Sequence, residues 1–310
     1  MLSSPASAIT RAAVSAPRRL LRCARAVARA AMIVVWTLAS ICVQAVLIAI
    51  PGRAKVVFAR AYWAGVCGLL GMQVRVLGHE AGRATGRPVI YVSNHSSWID
   101  VVVLGGRLRG CFVSKSDVAG WPLVGTVARL GRTVFVSRNR AATATEKLDM
   151  TARLRAGDNL ILFPEGTSSD GSRVLPFHST FFAMAKPTAG RDLVDASANG
   201  PLIQPISLVY DRLAGMPVGR AGRSNFSWFG DMDLARHFWR LAQWRGMRAT
   251  LLLHEPLDPA DFASRKELAA AAWETVAAGA ATLRQNRPAC PLSPSATPFR
   301  VGGVHTAVAA

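Results

Sequence analysis

Hydrophobic and polar positions fall into two textures that meet near Gly78. Before it, Ala30 to Ile50 is a run of twenty-one residues without a charge, closed by Pro51, Gly52 and Arg53. A second apolar stretch, Val56 to Val74, follows with Arg60 as its interruption. The first run is just long enough to span a bilayer. Together the two predict a helical hairpin that docks on a membrane, either crossing twice or lying half-immersed in one leaflet. The adjacent aromatics Tyr62 and Trp63 suit a lipid–water interface.

After Gly78, apolar runs of strand length alternate with helical patterns. The runs are Pro88 to Val92, Gly110 to Val113, Thr133 to Val136, Asn159 to Phe163, Pro201 to Leu208 and Ala249 to Leu253. The alternation predicts an α/β domain, a mixed sheet flanked by helices, behind the N-terminal hydrophobic membrane-docking helical hairpin. Asp258 with Pro259 reads as a helix start, and Ser264 with Glu267 has capping-box spacing ahead of an Ala-rich helix that reaches about Leu283. The expected organisation is a basic N-terminal arm at 1–29, the hairpin at 30–74, the α/β domain at 75–285 and a flexible tail at 286–310.

Composition supports the membrane reading. Hydrophobic residues make up 51% of the 310 and mean hydropathy is positive, which excludes a disordered or fibrous chain. The net charge of +19 predicts attraction to polyanions. Ten basic residues precede Glu80, the first acidic one, so the positive charge flanks the most apolar stretch, as suits anionic headgroups better than nucleic acid. The charged region ahead of the apolar run is too long for a secretory signal peptide; a mitochondrial presequence and a buried core helix remain as competing readings. Cys23, Cys42, Cys67, Cys111 and Cys290 show no metal or disulfide spacing and read as free thiols in a reducing compartment.

Two segments carry candidate chemistry. In PVIYVSNHSSWIDV a buried strand enters a polar turn and then a helix, with His95 and Asp100 at the junction. A neutral imidazole there can act as general base, and a nearby carboxylate can hold its tautomer and stabilise the imidazolium. Five residues correspond to about 140° around a helix, so His95 must precede the helix proper. In NLILFPEGTSSDG a second strand ends on Glu165, Gly166, Thr167 and Ser168, whose N–H and hydroxyl groups suit an anionic headgroup. Between them, Arg138 and Arg140 follow a short strand after Gly131, where a guanidinium can pair with phosphate. His178 reads as structural, and Trp228 to Trp244 as a helix packed on its own domain in preference to an interfacial one.

Taken in order, these residues resemble the glycerolipid acyltransferase family, which includes the 1-acylglycerol-3-phosphate and lysophospholipid acyltransferases. The resemblance spans about residues 75–210 and rests on four blocks: Asn94 to Asp100 as NHxxxxD, Gly131 to Arg138, Phe163 to Ser168, and Gln204 to Ile206. It implies acyl transfer from CoA or acyl-carrier protein to a lysolipid hydroxyl, with His95 as base and Asp100 orienting it. It further implies that Arg138, Glu165, Gly166 and Thr167 bind the acceptor's polar head, and that no metal or prosthetic group is used. The expected acceptor is 1-acylglycerol-3-phosphate, giving phosphatidic acid. The expected setting is the cytoplasmic face of the inner membrane, with an anionic membrane surface and no nucleic acid as partner.

Two departures bear on the acceptor: Ser168 stands where the family usually has Arg, and Ser137 where it often has Asp. Loss of a cationic fork favours a zwitterionic head, so O-acylation of lyso-ornithine lipid is the alternative. A different class of function, a non-catalytic basic membrane- or nucleic-acid-binding module, predicts that His95→Ala changes nothing. The chain lacks both an aromatic RNA-binding signature and the G-x-S-x-G of a serine hydrolase.

Overall fold

In a computed structural model of the chain, the described residues are 5–81, 86–136, 143–185 and 200–292. The N-terminus forms two helices, α1 (Pro5–Ala49) and α2 (Ala54–Leu70). The strands follow as β1 (Met72–Leu77), β2 (Val89–Ser93), β3 (Cys111–Lys115), β4 (Val134–Val136), β5 (Leu160–Leu162), β6 (Leu202–Leu213), β7 (Met216–Pro217) and β8 (Met247–Leu253). Among them lie α3 (Ile99–Gly105), α4 (Val124–Leu130), α5 (Thr143–Arg155), α6 (Leu234–Ala242) and, last, α7 (Arg265–Arg284). Each of the six apolar runs overlaps one strand.

The sheet order is β1-β8-β6-β2-β5-β3-β4, with β7 pairing off β6. Neighbours run parallel except where β6 meets β8 and β7, so the sheet is mixed. All five residues of the central strand β2 are buried, because both faces of the sheet are covered. Val89 and Tyr91 pack into the layer formed with α2 and α3, while Ile90 and Val92 point to the opposite layer against α7. Ser264 caps α7 by accepting from Glu267 N–H at 3.3 Å, and Glu267 reaches back to Ala263 N–H at 3.2 Å, one residue before the N-cap whose N–H closes a strict capping box.

The N-terminal region departs from the expected boundaries. α1 is continuous through residue 29, where the basic arm was expected to give way to the hairpin. The second apolar stretch ends early, because Gly71 adopts φ 73° and its N–H bonds back to Cys67 and Gly68, closing α2. Residues 72–74, expected in the hairpin, instead pair in β1 with β8. A side chain at Gly71 would also collide with the Arg29 guanidinium, 2.2 Å from an ideal Cβ.

α1 is inverted relative to a helix of a soluble domain. Thr37, Ser40 and Gln44 are buried, while Val34, Val35, Leu38, Val43 and Val46 are exposed. Two of these three polar residues bond inward: Thr37 Oγ1 meets Tyr62 OH at 3.1 Å, and Gln44 Nε2 donates to Lys55 O at 3.0 Å and Leu130 O at 2.9 Å. At its other end Arg29 Nη1 donates to Ala242 O at 3.0 Å and Trp244 O at 2.6 Å, satisfying carbonyls left over at the end of α6. Tyr62 and Trp63, expected at a lipid interface, are half-buried and pack inward, Trp63 against Gly105. The segment around α6 packs on its own domain, burying His237, Leu241 and Ala242. Of the expected tail, residues up to Leu292 are docked, with Leu292 N–H on His254 Nδ1 at 3.1 Å; 293–310 lie outside the described residues.

Candidate active site

β2 and β5 are parallel neighbours with Val92 opposite Leu162, so both chains leave the sheet at the same edge and the loops after them must meet. The first loop is anchored by Asn94, whose Nδ2 donates to Leu208 O at 2.9 Å and whose Oδ1 accepts Leu208 N–H at 2.8 Å. The amide thus extends the β2–β6 pairing one step past the strand's end. His95 follows in the turn, and α3 begins at Ile99 with Asp100 in its first turn. Asp100 Oδ2 accepts Ser96 N–H at 2.6 Å and Ser97 N–H at 2.9 Å, closing the turn that precedes the helix.

His95 Nδ1 and Asp100 Oδ2 are 2.9 Å apart. A carboxylate only accepts, so Nδ1 carries the proton and Nε2 presents a lone pair. The Asp100 side chain is fully buried and that of His95 is 20% exposed, which leaves the imidazole as the accessible member. Its ring stacks on Phe163 at 4.0 Å between centroids, with an interplanar angle of 17°. Sequence spacing correctly required His95 to precede the helix.

The second loop clamps His95 by its backbone. Glu165 Oε1 accepts His95 N–H at 2.8 Å, while His95 O accepts the N–H of Ser169 at 2.9 Å and its hydroxyl at 3.1 Å. The other carboxylate oxygen of Glu165 accepts Leu175 N–H at 3.0 Å. Burial pushes the Glu165 pKa up to about 7, with Asp100 adding to the rise and the two backbone donors and Arg284 opposing it. In this arrangement Glu165, expected at the acceptor's head, is engaged by the protein's own backbone. At 2% exposure, with both oxygens on backbone N–H groups, it acts on the position of His95.

Gly166 adopts φ 68° and is half-buried, with its ideal Cβ position 3.3 Å from the His178 ring; the turn needs both the left-handed conformation and the missing side chain. Thr167 is exposed at the outer end of the turn. Arg138, together with Ser137 and Arg140, lies outside the described residues. In the same block Arg132 pairs with Asp158. Gln204 of the fourth block is structural: it accepts Ala81 N–H at 3.0 Å and donates to His79 O at 2.7 Å and His254 O at 2.9 Å. His178 is exposed beside Gly166.

Two contributors had no legible signal in the sequence. Tyr210, on β6, donates its hydroxyl to Asp100 Oδ1 at 2.5 Å from 110 residues away. Ser169 reads in sequence as one more polar turn residue. Among the described residues no cluster of His, Cys, Asp or Glu is placed to hold a metal ion, and all five cysteines are unpaired. The arrangement is a buried carboxylate, an oriented imidazole with an accessible nitrogen, and a backbone clamp on that imidazole, which suits proton abstraction from a hydroxyl.

Residues 73–209 match the sequence profile of a family described as Acyltransferase. The chain is 38% identical over 207 residues to the lyso-ornithine lipid O-acyltransferase of Brucella abortus, covering 66% of this chain and 74% of that one. It is 26% identical over 170 residues to the 1-acyl-sn-glycerol-3-phosphate acyltransferase of Neisseria meningitidis, covering 52% and 60% respectively. Its fold is similar to the crystal structure of the 1-acyl-sn-glycerophosphate acyltransferase PlsC from Thermotoga maritima. There the TM-score is 0.59 at 22% identity, over 86% of this chain and 98% of that one.

Proposed function

The chain belongs to the acyltransferase family and is a lysolipid O-acyltransferase, and on that premise we propose that its acceptor is lyso-ornithine lipid. The observation that carries this choice is the greater identity and coverage shared with a relative bearing that name than with one named for 1-acylglycerol-3-phosphate. Ser168, in place of a cationic fork, points the same way, because a phosphate monoester needs more positive charge than a zwitterionic head. The acceptor expected from the sequence, 1-acylglycerol-3-phosphate, ranks behind it on both counts.

In the proposed reaction His95 Nε2 takes the proton of the acceptor hydroxyl as its oxygen attacks the thioester carbonyl of acyl-CoA or acyl-carrier protein. Asp100 holds the tautomer that exposes Nε2 and stabilises the imidazolium while the tetrahedral oxyanion exists. Collapse breaks the C–S bond, and the proton passes from His95 to the departing thiolate. Such a base is worth about 10²–10⁴ in rate, because an alcohol is a poor nucleophile at neutral pH.

The hairpin's geometry supports docking in one leaflet over crossing. α1 is bonded to the catalytic domain at Arg29 and again at Gln44, a separation of roughly 22 Å at 1.5 Å per residue. A helix strapped to one globular domain at both ends lies along it, and its exposed valines and leucines face outward as the lipid-contacting side. The cytoplasmic face is the proposed setting, because the proposed donors, acyl-CoA or acyl-carrier protein, are soluble there.

The test is an assay of the purified protein in mixed micelles with labelled acyl thioester and each of the two lysolipids. Acylation of lyso-ornithine lipid well above that of 1-acylglycerol-3-phosphate is expected. The reverse preference overturns the acceptor, and full activity of His95→Ala overturns the mechanism.

A further inference from the structure

Asp100 is a fully buried carboxylate whose ionic partner among the described residues is His95 alone, with no Lys or Arg beside it. A buried anion so placed must be held by hydrogen-bond donors. Three of these, His95 Nδ1–H, Ser96 N–H and Ser97 N–H, converge on Oδ2. Oδ1 is served from elsewhere, by the Tyr210 hydroxyl at 2.5 Å.

The local structure aims Tyr210 at that oxygen. β6 slips register against β8 between Tyr210 and Arg212, and such irregularities re-aim side chains at the ends of strands. The next residue, Asp211, is paired with Arg248 across the slip. Tyr210 is 7% exposed, and its ring stacks nearly parallel on Phe226, 4.7 Å between centroids. Burial first, and then the charge of Asp100, hold the phenol well above the ordinary tyrosine range, so it keeps its proton and donates.

We propose that Tyr210 is a positioning residue for acyl transfer: its O–H, bound to Oδ1, sets the rotation of the Asp100 carboxylate so that Oδ2 faces His95 Nδ1. The inference rests on the reading of His95 as the base. Without the hydroxyl the carboxylate keeps three donors on one oxygen and none of comparable geometry on the other, and its anion is less stabilised. The His95–Asp100 pair then takes up a proton more readily, and the base is lost at a higher pH. The titratable groups facing this pair are Tyr210 from β6, Glu165 from the loop after β5 and, against the phenol, Cys67 from α2.

Tyr210→Phe keeps the ring and its stack. The expected result is a kcat about tenfold or more below wild type, the scale of one hydrogen bond to a charged group, with KM little changed and the acid limb of kcat/KM displaced to higher pH. Replacing Tyr210 by 3-fluorotyrosine, a stronger donor of nearly the same shape, displaces that limb to lower pH. Phe226→Leu, which disturbs the stack alone, lowers the melting temperature and leaves the limb in place. Folded Tyr210→Phe protein with wild-type kcat and acid limb overturns the proposal, as does an equal displacement in Phe226→Leu. Full activity of His95→Ala would instead remove the underlying reading of the base.

Discussion

Glu165 accepts the backbone N–H of His95 at 2.8 Å, so the glutamate of one loop sets where the imidazole of another begins. The same carboxylate holds Leu175 N–H, and its burial gives it a pKa near 7. A carboxyl group whose folded pKa is raised binds more protons in the folded state than in the unfolded one between the two values. Stability therefore falls as pH rises from about 4.5 to about 7. The loss is at most on the order of 3 kcal/mol. Glu165→Gln removes that slope; comparing denaturant unfolding of the two proteins at pH 5 and pH 7 measures it, and parallel pH dependences would exclude the assignment.

His254 supplies the opposite sign. It is 1% exposed, with Leu292 N–H on Nδ1 and Ser207 Oγ 2.9 Å from Nε2, and burial pushes its pKa down to about 4. Between about pH 6.5 and 4 the unfolded chain binds the proton that the fold refuses, so this contribution to stability is lost as pH falls through that window. An NMR titration of the ring C–H signals should find His254 neutral until close to pH 4, and an ordinary histidine midpoint would refute it.

Gly166→Ala places a side chain at φ 68° and within 3.3 Å of the His178 ring. The expected destabilisation is about 1–2 kcal/mol, the cost of a left-handed alanine, plus the cost of moving His178. His178→Ala relieves the second part, so a thermal unfolding cycle should return a smaller penalty for Gly166→Ala in that background than in wild type.

The outer face of α1 can be changed without touching its bonds to the domain. Val35, Leu38 and Val46 are 67%, 53% and 62% exposed. Replacing all three with Gln is expected to shift the protein from the membrane to the soluble fraction by tenfold or more, since each apolar side chain buried in lipid contributes about 1.5–3 kcal/mol. Activity towards micellar acceptor should persist. Unchanged partitioning would show that this face does not hold the membrane.

Gln44→Leu tests the inner face. It deletes the bonds to Lys55 O and Leu130 O while raising hydropathy, so a purely hydrophobic account predicts tighter membrane binding. The structure predicts lower thermal stability, read by calorimetry.

Much of this was legible along the chain because it is local. The six strands follow from short apolar runs, the α7 cap from Ser264 and Glu267, and the His95–Asp100 pair from a spacing that only a turn before a helix can close. The bond from Glu165 to His95 N–H was not legible for a physical reason: sequence places a carboxylate at a strand end but not which neighbours will bury it. The early end of α2 turned on Gly71, where one left-handed residue diverts the chain into β1.

What the sequence determined by itself was the order of apolar runs and the chemistry available at their ends, since strand and helix periods are properties of consecutive residues. Only the tertiary structure decided which ends meet. The parallel register of β2 with β5 sets Glu165 and Ser169 on His95, and β6 carries Tyr210 to Asp100 from 110 residues away. Those contacts depend on strand order and on burial, and neither is written in the spacing of residues along the chain.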